Sequence, residues 1–143
     1  MRPSRVVIAA LTLLLVLPLI GAAKQESPSG PEHVVDCNTP ASLNYALIER
    51  RSDSAYRIAG SGACESAVDL IQIRCWAVHR HTFSWHSHPS TTIEEAYFSS
   101  SRVVVGWGVF AGSNNNRYKT HCDISATHGT RSNWSKESGS IVL

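Results

Sequence analysis

SAVDLIQIRCWAVHR, residues 66–80, decides the fold, because two periodicities compete within it. Ala67, Val68, Ile71, Cys75 and Val78 could line one side of a helix. Ile71, Ile73, Cys75 and Ala77 also alternate with Gln72, Arg74 and Trp76, and the stretch is rich in β-branched and aromatic side chains. Alternation together with that composition predicts a strand with one apolar face.

The next ten residues, HRHTFSWHSH (79–88), hold four of the chain's seven histidines. His79 and His81 extend the 71–77 face by the two-residue period of a strand. A chain reversal at Phe83-Ser84, or a loop of Thr82–Trp85, pairs residue 81 with 86 and 79 with 88. Opposed residues of antiparallel strands project to the same face, with Cβ atoms about 5 Å apart. His79, His81, His86 and His88 then gather at the rim of the core, where they could offer nitrogen ligands to zinc or copper. A proton-responsive surface and ordinary structural histidines are the competing readings. Thr-Phe-Ser-Trp lacks the Asn-Gly or Gly chemistry of tight hairpins, Arg80 is a cation within the segment, and no Asp or Glu lies inside it.

Working outward, Ile93–Phe98 and Arg102–Phe110 read as strands. Gly112–Asn116 reads as a turn, and Tyr118–Ser125 returns as the antiparallel partner. Upstream, Thr39-Pro40 resembles an N-cap followed by proline at the first helical position. Leu43, Ala46 and Leu47 follow at helical spacing and Arg50-Arg51 at the C-terminal end, so a helix is predicted over 40–51. Tyr56–Ala59 reads as a short strand before a Gly60–Gly62 turn. The expected fold is α+β: a small disulfide-stapled antiparallel sheet with one N-terminal helix packed on it.

Arg2 and Arg5, the apolar run 6–21 and the small residues Gly21-Ala22-Ala23 form a secretory signal over 1–23. A flexible polar leader spans 24–35, a single domain 36–126, and a Ser/Thr/Gly-rich tail 127–143. Loss of Arg2 and Arg5 leaves eleven Lys and Arg against eleven Asp and Glu. The whole-chain charge of +2 therefore disappears from the secreted product, and with it the basic excess that phosphate-backbone binding needs. In an oxidising compartment the four cysteines predict two disulfides, with Cys64–Cys75 and Cys37–Cys122 the favoured pairing among three. No thiolate then remains for nucleophilic chemistry. Asn133-Trp134-Ser135 is a glycosylation sequon in a eukaryotic host.

Several resemblances bear on function. Trp85-His-Ser-His-Pro89 is similar to the core of the JAMM metalloproteases but lacks that family's downstream Ser and Asp. His86–Glu94 is similar to a cupin metal motif, with too long a gap before the glutamate. Asp36-Cys37 and Gly62-Ala-Cys64 ahead of an apolar strand resemble small secreted fungal effectors. That resemblance implies a role in host interaction, with an extracellular protein or glycan as partner. The alternative is a small ribonuclease: His81, Glu94 or Glu95, Arg102 and His121 occur in an order similar to guanyl-specific fungal ribonucleases. His81, Glu95, Arg102 and His121 would then supply acid–base and cationic groups. Trp76 and Trp107 are expected in the core, and Trp85 in an exposed turn.

Overall fold

The computed structural model describes residues 35–37 and 41–143; the expected signal and the leader through residue 34 lie outside the described residues. A single-turn 3-10 helix, Ala41–Leu43, is followed by six strands. These are β1 (Tyr45–Ser52), β2 (Ala55–His81), β3 (Ser84–Ala111), β4 (Arg117–His128), β5 (Thr130–Glu137) and β6 (Ile141–Val142). The α+β expectation is overturned. The described chain is nearly all sheet, curled into a half-barrel, and no α-helix packs on it.

The segment whose spacing predicts a helix over 40–51 is instead mostly β1. Leu43, Ala46 and Leu47 fit a helical stripe, but Ala46 and Ile48 equally alternate with Leu47 and Glu49. Tertiary pairing decides between them, because β1 lies antiparallel to the start of β2, from Tyr45↔Ser61 to Ser52↔Ala55. The connection is the tight turn Asp53-Ser54, where Arg50 pairs with the Asp53 carboxylate. A lone helix of about a dozen residues is marginal in water, and a hairpin partner outcompetes it.

β2 and β3 form one long ribbon, with β3 occupying one edge of β2 along nearly its whole length. The opposite edge is shared, β1 pairing with residues 55–61 and β4 with residues 70–79. β4 therefore crosses over to β2, whereas the expected neighbour was the 102–110 strand; among the described residues that side of β3 stays open. Three irregularities interrupt the β2–β3 ladder, and the two larger ones bend the ribbon. Between Ala63 and Val68 the extra residues of β2 carry Cys64, tied to Cys37, and Glu65, whose N–H donates to the Asp36 carbonyl at 2.7 Å. Between His88 and Ile93 the extra residues lie on β3. There the Thr91 hydroxyl oxygen accepts from the Ala77 N–H (2.8 Å) and donates to the His88 carbonyl (2.7 Å). Pro89, which has no N–H, sits in this excursion from the ladder.

The bend lays the first half of β2 over the second. Gly60 and Gly62 form no turn and lie inside β2. A Cβ on Gly60 would run into the sulfurs of Cys75 and Cys122, and one on Gly62 into Ile124. Disulfides join Cys37 to Cys64 and Cys75 to Cys122, correcting the expected pairing. Cys75 and Cys122 stand directly opposite on neighbouring strands, an arrangement available only once β4 pairs with β2. Around them pack Val68, Ile71, Ile73, Val103, Val105 and Ile124. A second cluster joins Tyr56, Ile58, Ala77, Tyr118 and Leu143.

The polar stretch 127–143 supplies the end of β4, all of β5 and β6, and the buried Leu143. Trp134 reaches back to donate to Asn44 Oδ1 at 2.9 Å, and Asn44 in turn bonds both the N–H and the carbonyl of Ala63. Among the described residues no helix is long and apolar enough to cross a membrane.

Candidate functional site

The histidine hairpin closes one residue earlier than predicted. Thr82-Phe83 forms the turn, with His81 opposite Ser84, His79 opposite His86 and Ala77 opposite His88. Thr82 takes a φ of 57°, a region that favours glycine, which is how the chain turns without the usual hairpin residues. Any loop with an even number of residues leaves odd-numbered positions of β2 facing even-numbered positions of β3. The register slips by one on each strand, yet His79, His81, His86 and His88 share one face.

Their rings sit together at the rim of the second core cluster. The His79 ring centre is 4.2 Å from that of His88, 5.8 Å from His86 and 6.5 Å from His81, and His81 lies 5.8 Å from His86. Tyr118 backs the group 6.2 Å from both His79 and His88, and itself stacks on Tyr56 at 4.7 Å. Burial, with a smaller effect of Tyr118, pushes the Tyr56 phenol up to about 12, so it stays neutral. Burial and the neighbouring imidazoles hold His79 below its ordinary value. His79 Nδ1 and His88 Nε2 are buried with no hydrogen-bond partner in the protein. His86 Nε2 lies 2.9 Å from Ser84 Oγ, and His81 Nδ1 lies 3.5 Å from Thr82 Oγ1. Arg80, opposite Trp85, projects from the other face. Among the described residues no three His, Cys, Asp or Glu side chains stand close enough to ligate one ion as they are.

The outer face carries a separate network that sequence reasoning missed. His121 lies between two carboxylates, Nδ1 3.1 Å from Glu137 Oε1 and Nε2 2.9 Å from Asp123 Oδ1. Burial works to lower its pKa, but the Glu137 and Asp123 hydrogen bonds outweigh it and raise the value. Lys119, then His121, hold the Glu137 carboxyl below its ordinary range. Lys119 donates to Glu137 at 2.7 Å and lies 4.6 Å from the Trp85 ring, while Trp76 packs 4.7 Å from His121. Beside this network a groove of about 840 Å³ opens over Arg74, Glu94, Asp123, Arg131 and Asn133. Its β5 wall was legible only as alternation, Arg131, Asn133 and Ser135 against Ser132, Trp134 and Lys136. Asn133 is exposed there and accepts from Arg131.

The candidate acid–base residues do not share a site. Glu95 stands opposite Ile73, eight residues along β2 from His81, or about 26 Å of strand. His121 lies opposite Trp76, on the face away from His81. Arg102 is at the bend, bonded to Ser61 Oγ at 3.1 Å.

Trp76 is half-buried and Trp107 more exposed, at 45%. Neither belongs to the core, because both project from the outer face. Trp107 is raised at a bulge, where Gly106-Trp107 interrupt the pairing between Val105↔Gly60 and Gly108↔Ile58; Arg57 sits over its ring at 4.1 Å. Val104 and Val109 are exposed on the same strand.

Among the described residues these features define a small, disulfide-stapled, all-β domain with a long unpaired strand edge. The two disulfides are compatible with an extracellular or periplasmic location. No protein-family model matches the chain, and no curated protein matches it. Among solved structures it is similar to the solution structure of R. palustris CsgH, at 14% identity and a TM-score of 0.42, over 73% of this chain and 90% of that one.

Proposed function

We propose that the protein is a secreted binding module that receives an extended segment of an extracellular protein along the open edge of β3. The observation that carries this reading is the stretch Val103–Ala111, nine residues without a charge or a proline on a strand that, among the described residues, pairs only with β2. An open edge presents unsatisfied N–H and C=O groups, the recognition chemistry of strand addition. Trp107 and Val109, the latter 62% exposed, supply apolar anchors beside that edge. Natural edges of this length are usually blunted by charge, and here only the Trp107 bulge interrupts pairing. A protein segment fits better than a sugar, since the Arg57 guanidinium already covers one face of the indole. β5 is at the opposite side of the sheet from β3, so a glycan on Asn133 would leave the edge clear.

A photo-crosslinking residue at Val109 should capture an extracellular protein that the same residue at Asn114 does not. The purified partner should then bind a Trp107→Ala, Val109→Lys double variant at least tenfold more weakly, with unchanged circular dichroism. Equal capture at both positions, or equal affinity for both proteins, overturns the reading.

A further inference from the structure

We infer that His79, His81, His86 and His88 form a site for a divalent transition metal that favours imidazole nitrogen, zinc or copper(II). The inference is independent of the edge-strand reading, because it rests on the hairpin imidazoles and on no group of the open β3 edge.

Three observations support it. The first is spacing. Two imidazoles on one tetrahedral ion, at metal–nitrogen distances of about 2.0–2.1 Å, have ring centres about 5 Å apart. The separations of His79 from the other three rings, 4.2, 5.8 and 6.5 Å, and of His81 from His86, 5.8 Å, bracket that value.

The second is the pair of buried nitrogens. His79 Nδ1 and His88 Nε2 have no protein partner. A buried polar atom left unpaired is unfavourable, and native structures keep few of them. A metal would satisfy both lone pairs at once. His79 and His88 are the half-buried members of the group, packed against Tyr118, so half of the ligand set is already held in place.

The third is the disposition of the other two. His81 and His86 are exposed on the hairpin, and turning their rings would complete the set. Each now has one ring nitrogen near a hydroxyl, Thr82 for His81 and Ser84 for His86, and a turned ring would exchange that contact for the ion. Neutral nitrogen donors without a carboxylate suit zinc and copper(II) better than calcium or magnesium. The one cation within the segment, Arg80, projects from the opposite face.

The test uses the purified chain with its disulfides intact, titrated at neutral pH with zinc chloride and with copper(II) sulfate by calorimetry. One equivalent should bind with micromolar or tighter affinity, and the copper(II) form should show nitrogen hyperfine structure in its electron paramagnetic resonance spectrum. His81→Asn with His86→Asn changes only exposed side chains. It should weaken binding at least tenfold with circular dichroism unchanged. His128→Gln, away from the hairpin, should leave binding as it was. Absence of uptake, uptake undiminished in the double variant, or equal loss in His128→Gln would each refute the site.

Discussion

The β2–β3 ribbon is one pair of strands with two differently furnished ends. Around Cys75 its inner face carries Ile71, Ile73 and Cys75, and the opposing half of the curled sheet closes over them. Around the hairpin tip the same face, continued at the same period, carries four imidazoles. The difference lies in what covers each end. β4 accompanies β2 only as far as Tyr118↔His79, and beyond that pair no third strand among the described residues reaches the ribbon. Aliphatic side chains occupy the covered part and titratable ones begin where the cover stops. A strand's pattern therefore states which side faces inward, while its neighbours determine how dry that side is.

The largest effect should come from the covered end. Replacing Cys75 and Cys122 together by Ala removes a crosslink between residues 47 apart and should cost about 4 kcal/mol of unfolding free energy. Replacing His81 and His86 by Asn at the tip should change it by less than about 0.5 kcal/mol. Chemical denaturation of both variants measures the contrast, and similar losses would mean the tip is part of the core.

A smaller effect belongs to the outer face, where His121 joins β4 to β5. Its pKa in the folded protein is raised above 6.5, so its contribution is fully present below that value and declines as pH rises through the folded pKa. Glu137 is lowered below 4.5, so its contribution is complete above that value and is lost as pH falls through the folded pKa. The clamp is therefore strongest between about pH 4.5 and 6.5. His121→Gln should flatten the fall in thermal stability on raising pH from 6 to 9, and an unchanged slope would show that other groups cause it.

The smallest effect lies at the turn. Thr82→Gly relieves the positive φ and should stabilise the fold by about 1 kcal/mol or less. It should also leave the four imidazoles on one face. A measurable loss of stability would mean that the threonine hydroxyl, beside His81, contributes more than the backbone strain costs.

The alternation in 66–80 made β2 legible, as did the β-branched runs of β3 and the histidine pairs spaced two apart. The 40–51 segment misled because Leu43, Ala46 and Leu47 satisfy a helical stripe while Ala46 and Ile48 satisfy a strand. Local spacing holds no information about the partner at 55–61. Gly60 and Gly62 read as a turn for the same reason. Their function is to admit the Cys75–Cys122 bridge and Ile124, which approach from far along the chain. Residues 127–143 looked like a tail because an edge strand exposed on one face is mostly polar; Trp134, Ile141 and Leu143 betray the buried side.

By itself the sequence determined that 66–80 and the runs around 93–98 and 102–110 extend, and that four imidazoles would share a face. Both follow from a period of two and a loop of even length, which are properties of neighbouring residues. Tertiary structure alone decided which strands became neighbours, which cysteines met, and where the sheet stopped covering its own inner face. Those outcomes depend on the bends at 63–68 and 88–93 and on competition for the edges of β2. They minimise the free energy of the whole packed chain and leave no mark in any short window of it.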